Sequence, residues 1–94
     1  MAEVVVIARA KVQPGREEEM AEVLRAHADV SRREDGCVAY SVLRGDEGTF
    51  MTVERWASRG HVDKHMATPH VQTLFQTIGP MLAAPPDIQV MEEV

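Results

Sequence analysis

The side chains able to do chemistry crowd into one stretch, Glu54 to His70, which holds three of the four histidines and the only tryptophan. His61 and His65 are four apart, so a helix sets them on one side at metal-ligand spacing. A catalytic metal helix also needs Glu beside the first histidine and a third ligand, and Val62 stands in that position. No metal site is expected, and His61 reads as solvated. His65 shares an apolar stripe with Val62 and Met66, which turns its ring inward. Two readings of it stand: a core histidine satisfied by one hydrogen bond, or a neutral base or donor lining a cavity between helices and sheet. Burial would hold its pKa below the ordinary imidazole value of about 6.5. His70 falls in the first turn after Thr68-Pro69, where the helix dipole also disfavours imidazolium. It reads as a surface residue assisting the turn or as a second functional imidazole.

On the preceding strand, Phe50, Thr52, Glu54 and Trp56 share one face. Phe50 and Trp56 are ordinary core residues. Glu54 is not, because a buried carboxylate needs a cation or several donors. Arg9 on the first strand is a candidate cation, although an exposed strand end would account for both residues equally well. Cys37 lacks an obvious thiolate-stabilising neighbour, and no glycine-rich phosphate loop follows a strand.

Positioning these groups falls to seven elements, the two short helices after the hairpin together filling one helical layer. Glu3–Val12 alternates as a strand, and Gln13-Pro14-Gly15 turns the chain. Glu17-Glu18-Glu19 open a helix with the inward stripe Met20, Val23, Leu24, His27 and Ala28; Arg32 and Arg33 fall in its last turn, and Gly36 stops it. Cys37–Leu43 and Thr49–Trp56 form a hairpin, with Val38, Tyr40 and Val42 on one face of the first strand. Ser58 caps a short helix to about Met66, and Thr68-Pro69 opens another with Val71, Leu74, Phe75 and Ile78 inward. Asp87–Met91 is the last strand. The order β-α-β-β-α-β predicts an α+β, ferredoxin-like split β-α-β fold with an antiparallel sheet in a single domain, residues 1–94. Both sheet faces carry apolar residues while helices cover only one, so a homodimer through the open sheet face is expected.

Composition narrows the function classes. The chain has 94 residues, ten basic against fifteen acidic, and a net charge of −5. No basic stripe marks a nucleic-acid binder. The longest apolar run, Val4–Ala8, is far too short for a membrane span, and one cysteine fits a reducing, cytoplasmic setting without disulfides.

Arg33-Glu34-Asp35-Gly36-Cys37 with Tyr40, Val53-Glu54-Arg55-Trp56-Ala57-Ser58, His61, His65 and Thr68-Pro69-His70 together resemble the antibiotic biosynthesis monooxygenase (ABM) domain family. The resemblance implies a dimeric α+β barrel with a cavity in each protomer. It also implies a quinol-type monooxygenase that oxidises a hydroquinone-like or polycyclic phenolic molecule with O2, without metal, flavin or other cofactor. On that footing His65 and Trp56 are the catalytic residues, His65 as base or hydrogen-bond partner. Tyr40, Phe50, Glu54, His70 and Arg9 surround the substrate; Trp56, Phe50 and Tyr40 supply aromatic walls and His70 lies near the mouth. Heme-degrading relatives add an Asn on the first strand, where Ala8 stands here. Heme binding or degradation therefore ranks second, beside a non-catalytic small-molecule-binding dimer.

Overall fold

The computed structural model describes residues 2–94. The elements run β1 (Val4–Lys11), α1 (Glu17–Ser31), β2 (Cys37–Arg44), β3 (Thr49–Trp56), α2 (Arg59–Met66), α3 (Pro69–Ile78), a 3-10 turn at Gly79–Met81 and β4 (Asp87–Glu92). The strands form one sheet in the order β2-β3-β1-β4, with every neighbouring pair antiparallel. This is the ferredoxin-like α+β fold.

Alternation along β1 and β3 decides which side the helices cover. Val4 and Val6 on β1 and Phe50, Thr52, Glu54 and Trp56 on β3 are buried, whereas the residues between them are partly open. The register pairs Val6 with Glu54 and Ala8 with Thr52, so the polar members of β3 lie over the middle of the sheet. Two buried clusters join sheet to helices. One gathers Val4, Val6, Ala28, Tyr40, Trp56 and Val62, the other Val12, Met20, Leu24, Phe50, Ile78 and Met81. Val5, Ile7, Met51 and Val53 face the other way and stay half-buried with no helix above them.

Three local expectations need correction. α1 ends at Ser31 rather than near Gly36. Arg32 leaves the helix to donate two hydrogen bonds to the Tyr40 carbonyl, at 2.8 and 3.1 Å, and residues 32–36 become a turn. Gly36 (φ +86°) therefore launches β2 instead of capping α1, and a Cβ there would fall inside the His61 ring. β2 carries a bulge between Cys37 and Ala39. It turns Val38 out to 51% exposure and leaves Cys37 against the core. Phe75 is also more open than its helical stripe suggests, because it stands at the edge of a hollow. No helix among the described residues is long and apolar enough to cross a membrane.

Candidate active site

Ser58 and Thr68 place His65 and His70. Each is an N-cap in extended backbone whose side chain accepts an amide N–H, from His61 and Val71 respectively. The first cap starts α2 so that Val62 and His65 point at the sheet. The second, followed by Pro69, puts His70 in the first turn of α3.

His65 is 3% exposed and lies over Trp56, with ring centroids 4.4 Å apart. Its Nδ1 is 2.6 Å from Oε2 of Glu34, and the same oxygen lies 2.9 Å from Nε2 of His70. A carboxylate oxygen accepts, so both nitrogens carry hydrogen; a His65 ring holding that single hydrogen has Nε2 free to accept. That nitrogen faces Oε1 of Glu54 at 3.8 Å.

Glu54 is fixed by two donors on its own strand. Trp56 Nε1–H donates to Oε1 at 3.0 Å, and the Thr52 hydroxyl donates to Oε2 at 2.8 Å. Neighbouring inward positions on a strand meet in this way because residues i and i+2 share a face. Several donors rather than a cation thus satisfy Glu54. Arg9 alternates to the opposite side of β1, is exposed, and makes no ion pair with Glu54 among the described residues.

Burial acts visibly on three further groups. His27, on the inward stripe of α1, is pushed down to about 4, first by burial and then by His70 and His65 nearby. Burial and then the Glu54 carboxylate drive the Tyr40 phenol well above the ordinary phenol range. Cys37 is likewise pushed up by burial, then by Glu34 and Glu54, which makes its thiol a poor nucleophile.

These groups border a hollow between sheet and helices, lined by His65, Glu54, Thr52, Tyr40, His27 and the apolar side chains of Val6, Ala8, Phe50, Met66, Val71, Leu74, Phe75 and Ile88. It contains about 590 Å³ of atom-free space out to its open mouth, but only about 60 Å³ where the centre of a water molecule fits. Polar groups are few among its lining, the usual make-up of a small-molecule site.

The sequence of residues 3–77 matches the family model described as "Antibiotic biosynthesis monooxygenase". The chain belongs to the antibiotic biosynthesis monooxygenase family. Rv0793 of Mycobacterium tuberculosis, provisionally assigned as a monooxygenase, is 32% identical over 89 residues, covering 94% of this chain and 88% of its own. Its solved structure superposes with a TM-score of 0.92 over 99% of this chain and 96% of that one. YcnE of Bacillus subtilis, with the same provisional assignment, is 30% identical over 87 residues, 90% of this chain and 92% of its own. An uncharacterised Synechocystis protein, sll1783, is 29% identical over 93% of this chain, which spans 60% of that protein's length.

Within this ABM domain, His65, Glu54, Tyr40, Phe50 and Arg9 all line the hollow. Trp56 does not form a wall: it is fully buried behind His65 and holds Glu54. His70 stands outside the hollow, joined to it through Glu34. The pair His61 and His65 separates, since His61 Nδ1 bonds the Ser58 hydroxyl at 2.7 Å and its Nε2 turns to Asp35 at 3.5 Å. Glu34 and His27 were missed as site residues. Instead Glu34, His65 and His70 bring three potential ligand atoms within 4.8 Å of one another.

Proposed function

We propose that this family member is a cofactor-independent monooxygenase acting on a flat hydroquinone-like or polycyclic phenolic molecule, with His65 as its base. The observation that supports this reading is the His65 ring at the wall of a mainly apolar hollow, its Nδ1 held by Glu34 so that the single-hydrogen tautomer turns a free Nε2 away from that carboxylate. A phenol hydroxyl placed against Nε2 donates its proton there. Glu34 at 2.6 Å and Glu54 at 3.8 Å meet the charge that forms on the ring. Fixed carboxylates in a poorly hydrated site stabilise that charge more than water would, because nothing must reorient.

The electron-rich anion then gives one electron to O2, forming a ring radical and superoxide. The two combine at a ring carbon as a peroxide. Where that carbon bears hydrogen, as in an anthrone CH2, loss of water leaves a carbonyl. One oxygen atom enters the product, the other leaves as water, and the CH2 group supplies both hydrogens and all four electrons. The protein's share is binding, orientation and proton transfer. Walls such as Phe50, Leu74 and Phe75 keep water from the reactive pair.

Two further parts of this reading concern assembly and setting. The half-buried face of Val5, Ile7, Met51 and Val53 pairs with a second copy, which removes an apolar surface that monomers seldom expose. A lone, unpaired thiol at Cys37 suits a reducing cytoplasm.

The test is turnover of an anthrone under isotopically labelled O2. One labelled oxygen in the product carbonyl supports the reading; unlabelled product with peroxide release contradicts it. Hemin titration should give no Soret shift, because carboxylates flank both nitrogens of His65.

A further inference from the structure

We propose that Glu34, His65 and His70 form a binding site for a divalent transition-metal ion of the zinc class, and that an ion held there switches off the base at His65. Three separate elements deliver the donors: the turn after α1, the inward face of α2 and the first turn of α3. Glu34 Oε2, His65 Nδ1 and His70 Nε2 all lie within 4.8 Å of one another. Two imidazole nitrogens and one carboxylate oxygen are the set that borderline divalent ions prefer, with water completing the shell.

The present contacts of 2.6 and 2.9 Å are hydrogen bonds, so the Glu34 oxygen must draw back from each nitrogen, and the two nitrogens, within 4.8 Å of each other, must sit about 3.3 Å apart to share an ion about 2 Å from each. His65 is fixed, its side chain 4% exposed, while those of Glu34 and His70 are 17% and 27% exposed and have room to adjust. Their exposure also gives the ion an entry path that bypasses the substrate slot. A second observation points the same way. The far nitrogen of His65 faces the Glu54 carboxylate at 3.8 Å, too long for a hydrogen bond here but on the side where metal-bound imidazoles commonly find an outer carboxylate partner.

Metal at Nδ1 moves the hydrogen of the neutral His65 ring to Nε2, and metal at Nε2 of His70 moves its hydrogen to Nδ1. No net proton is released by these two shifts. With hydrogen on Nε2, His65 donates toward Glu54 and can no longer accept a proton from a phenol. The binding half of the proposal stands alone; the switch half rests on the oxygenase reading above.

The test uses EDTA-treated full-length protein titrated with Zn2+ by calorimetry and with Co2+ by its visible d–d absorption. One ion per chain is expected, with affinity falling at least about 10-fold in His70→Ala and in Glu34→Ala and unchanged in His61→Ala. His70→Ala removes a partly exposed ring, so it reports on the site even if Glu34→Ala fails to fold. Absence of one-to-one binding, or binding unaffected by His70→Ala, overturns the site. Zn2+ that binds one-to-one yet leaves phenol-dependent O2 uptake unchanged overturns the switch. If metal-free protein consumes no O2 with any phenol, the oxygenase reading and with it the switch fail, while the titrations still judge the site.

Discussion

Nδ1 of His65 donates to Oε2 of Glu34 across 2.6 Å, although the two residues are 31 apart in sequence. A carboxylate in that position selects the tautomer with Nε2 bare, as carboxylate partners of catalytic imidazoles do. Glu34→Gln keeps an acceptor but also offers a donor, so the ring is no longer held in one tautomer. Expected is a fall in kcat of at least about 10-fold with KM little changed, since Glu34 acts through His65 rather than on substrate. Steady-state O2 uptake over a pH series checks this, and the pH profile should shift with the rate.

His27 makes stability pH-dependent. In the unfolded chain its imidazole takes a proton near pH 6.5, in the folded protein only near pH 4. Between those values the unfolded state binds more protons, so stability falls as pH falls through this window and levels off below about 4. The full loss is on the order of 3 kcal/mol. Urea unfolding in EDTA buffer at pH 7 and pH 4.5 should show a smaller decline for His27→Gln than for the parent protein.

Thr52 and Trp56 satisfy the two oxygens of Glu54. Thr52→Val keeps the shape and removes one donor, leaving a buried carboxylate oxygen unsatisfied. The expected cost is about 1–3 kcal/mol in a urea titration. The double variant Thr52→Val with Glu54→Gln should cost less than the sum of the two single changes, because the charge that needed the donor is gone.

Ile7 and Val53 face each other across β1 and β3 on the uncovered side of the sheet. Val53→Glu puts a charge at the centre of the proposed subunit contact. Sedimentation equilibrium should find the parent protein dimeric and this variant monomeric; a monomeric parent protein contradicts the assembly.

Much of the scaffold is legible in the chain because period-two alternation, the Ser58 and Thr68 caps and the Pro69 start are local signals. Glu34 is hidden in the sequence by the place where α1 stops. With Gly36 taken as the stop of α1, Glu34 is one more charged residue on a solvated helix end. The helix instead ends at Ser31, where Arg32 turns to the Tyr40 carbonyl, and the turn that follows carries Glu34 to α2 and α3. His27 was correctly placed on the buried stripe, yet periodicity cannot say that two more imidazoles converge on it from α2 and α3. The partners of Glu54 could have been read from the sequence, since Thr52 and Trp56 are its i−2 and i+2 neighbours on one strand face. Arg9 was an unneeded cation.

The most direct test of the central claim is the rate of O2 consumption with an anthrone or naphthohydroquinone, above autoxidation, for the parent protein and for His65→Ala in EDTA buffer. Loss of the base should lower kcat by about 10²–10⁴-fold while circular dichroism shows the fold retained. Undiminished consumption by a folded His65→Ala protein would contradict the account.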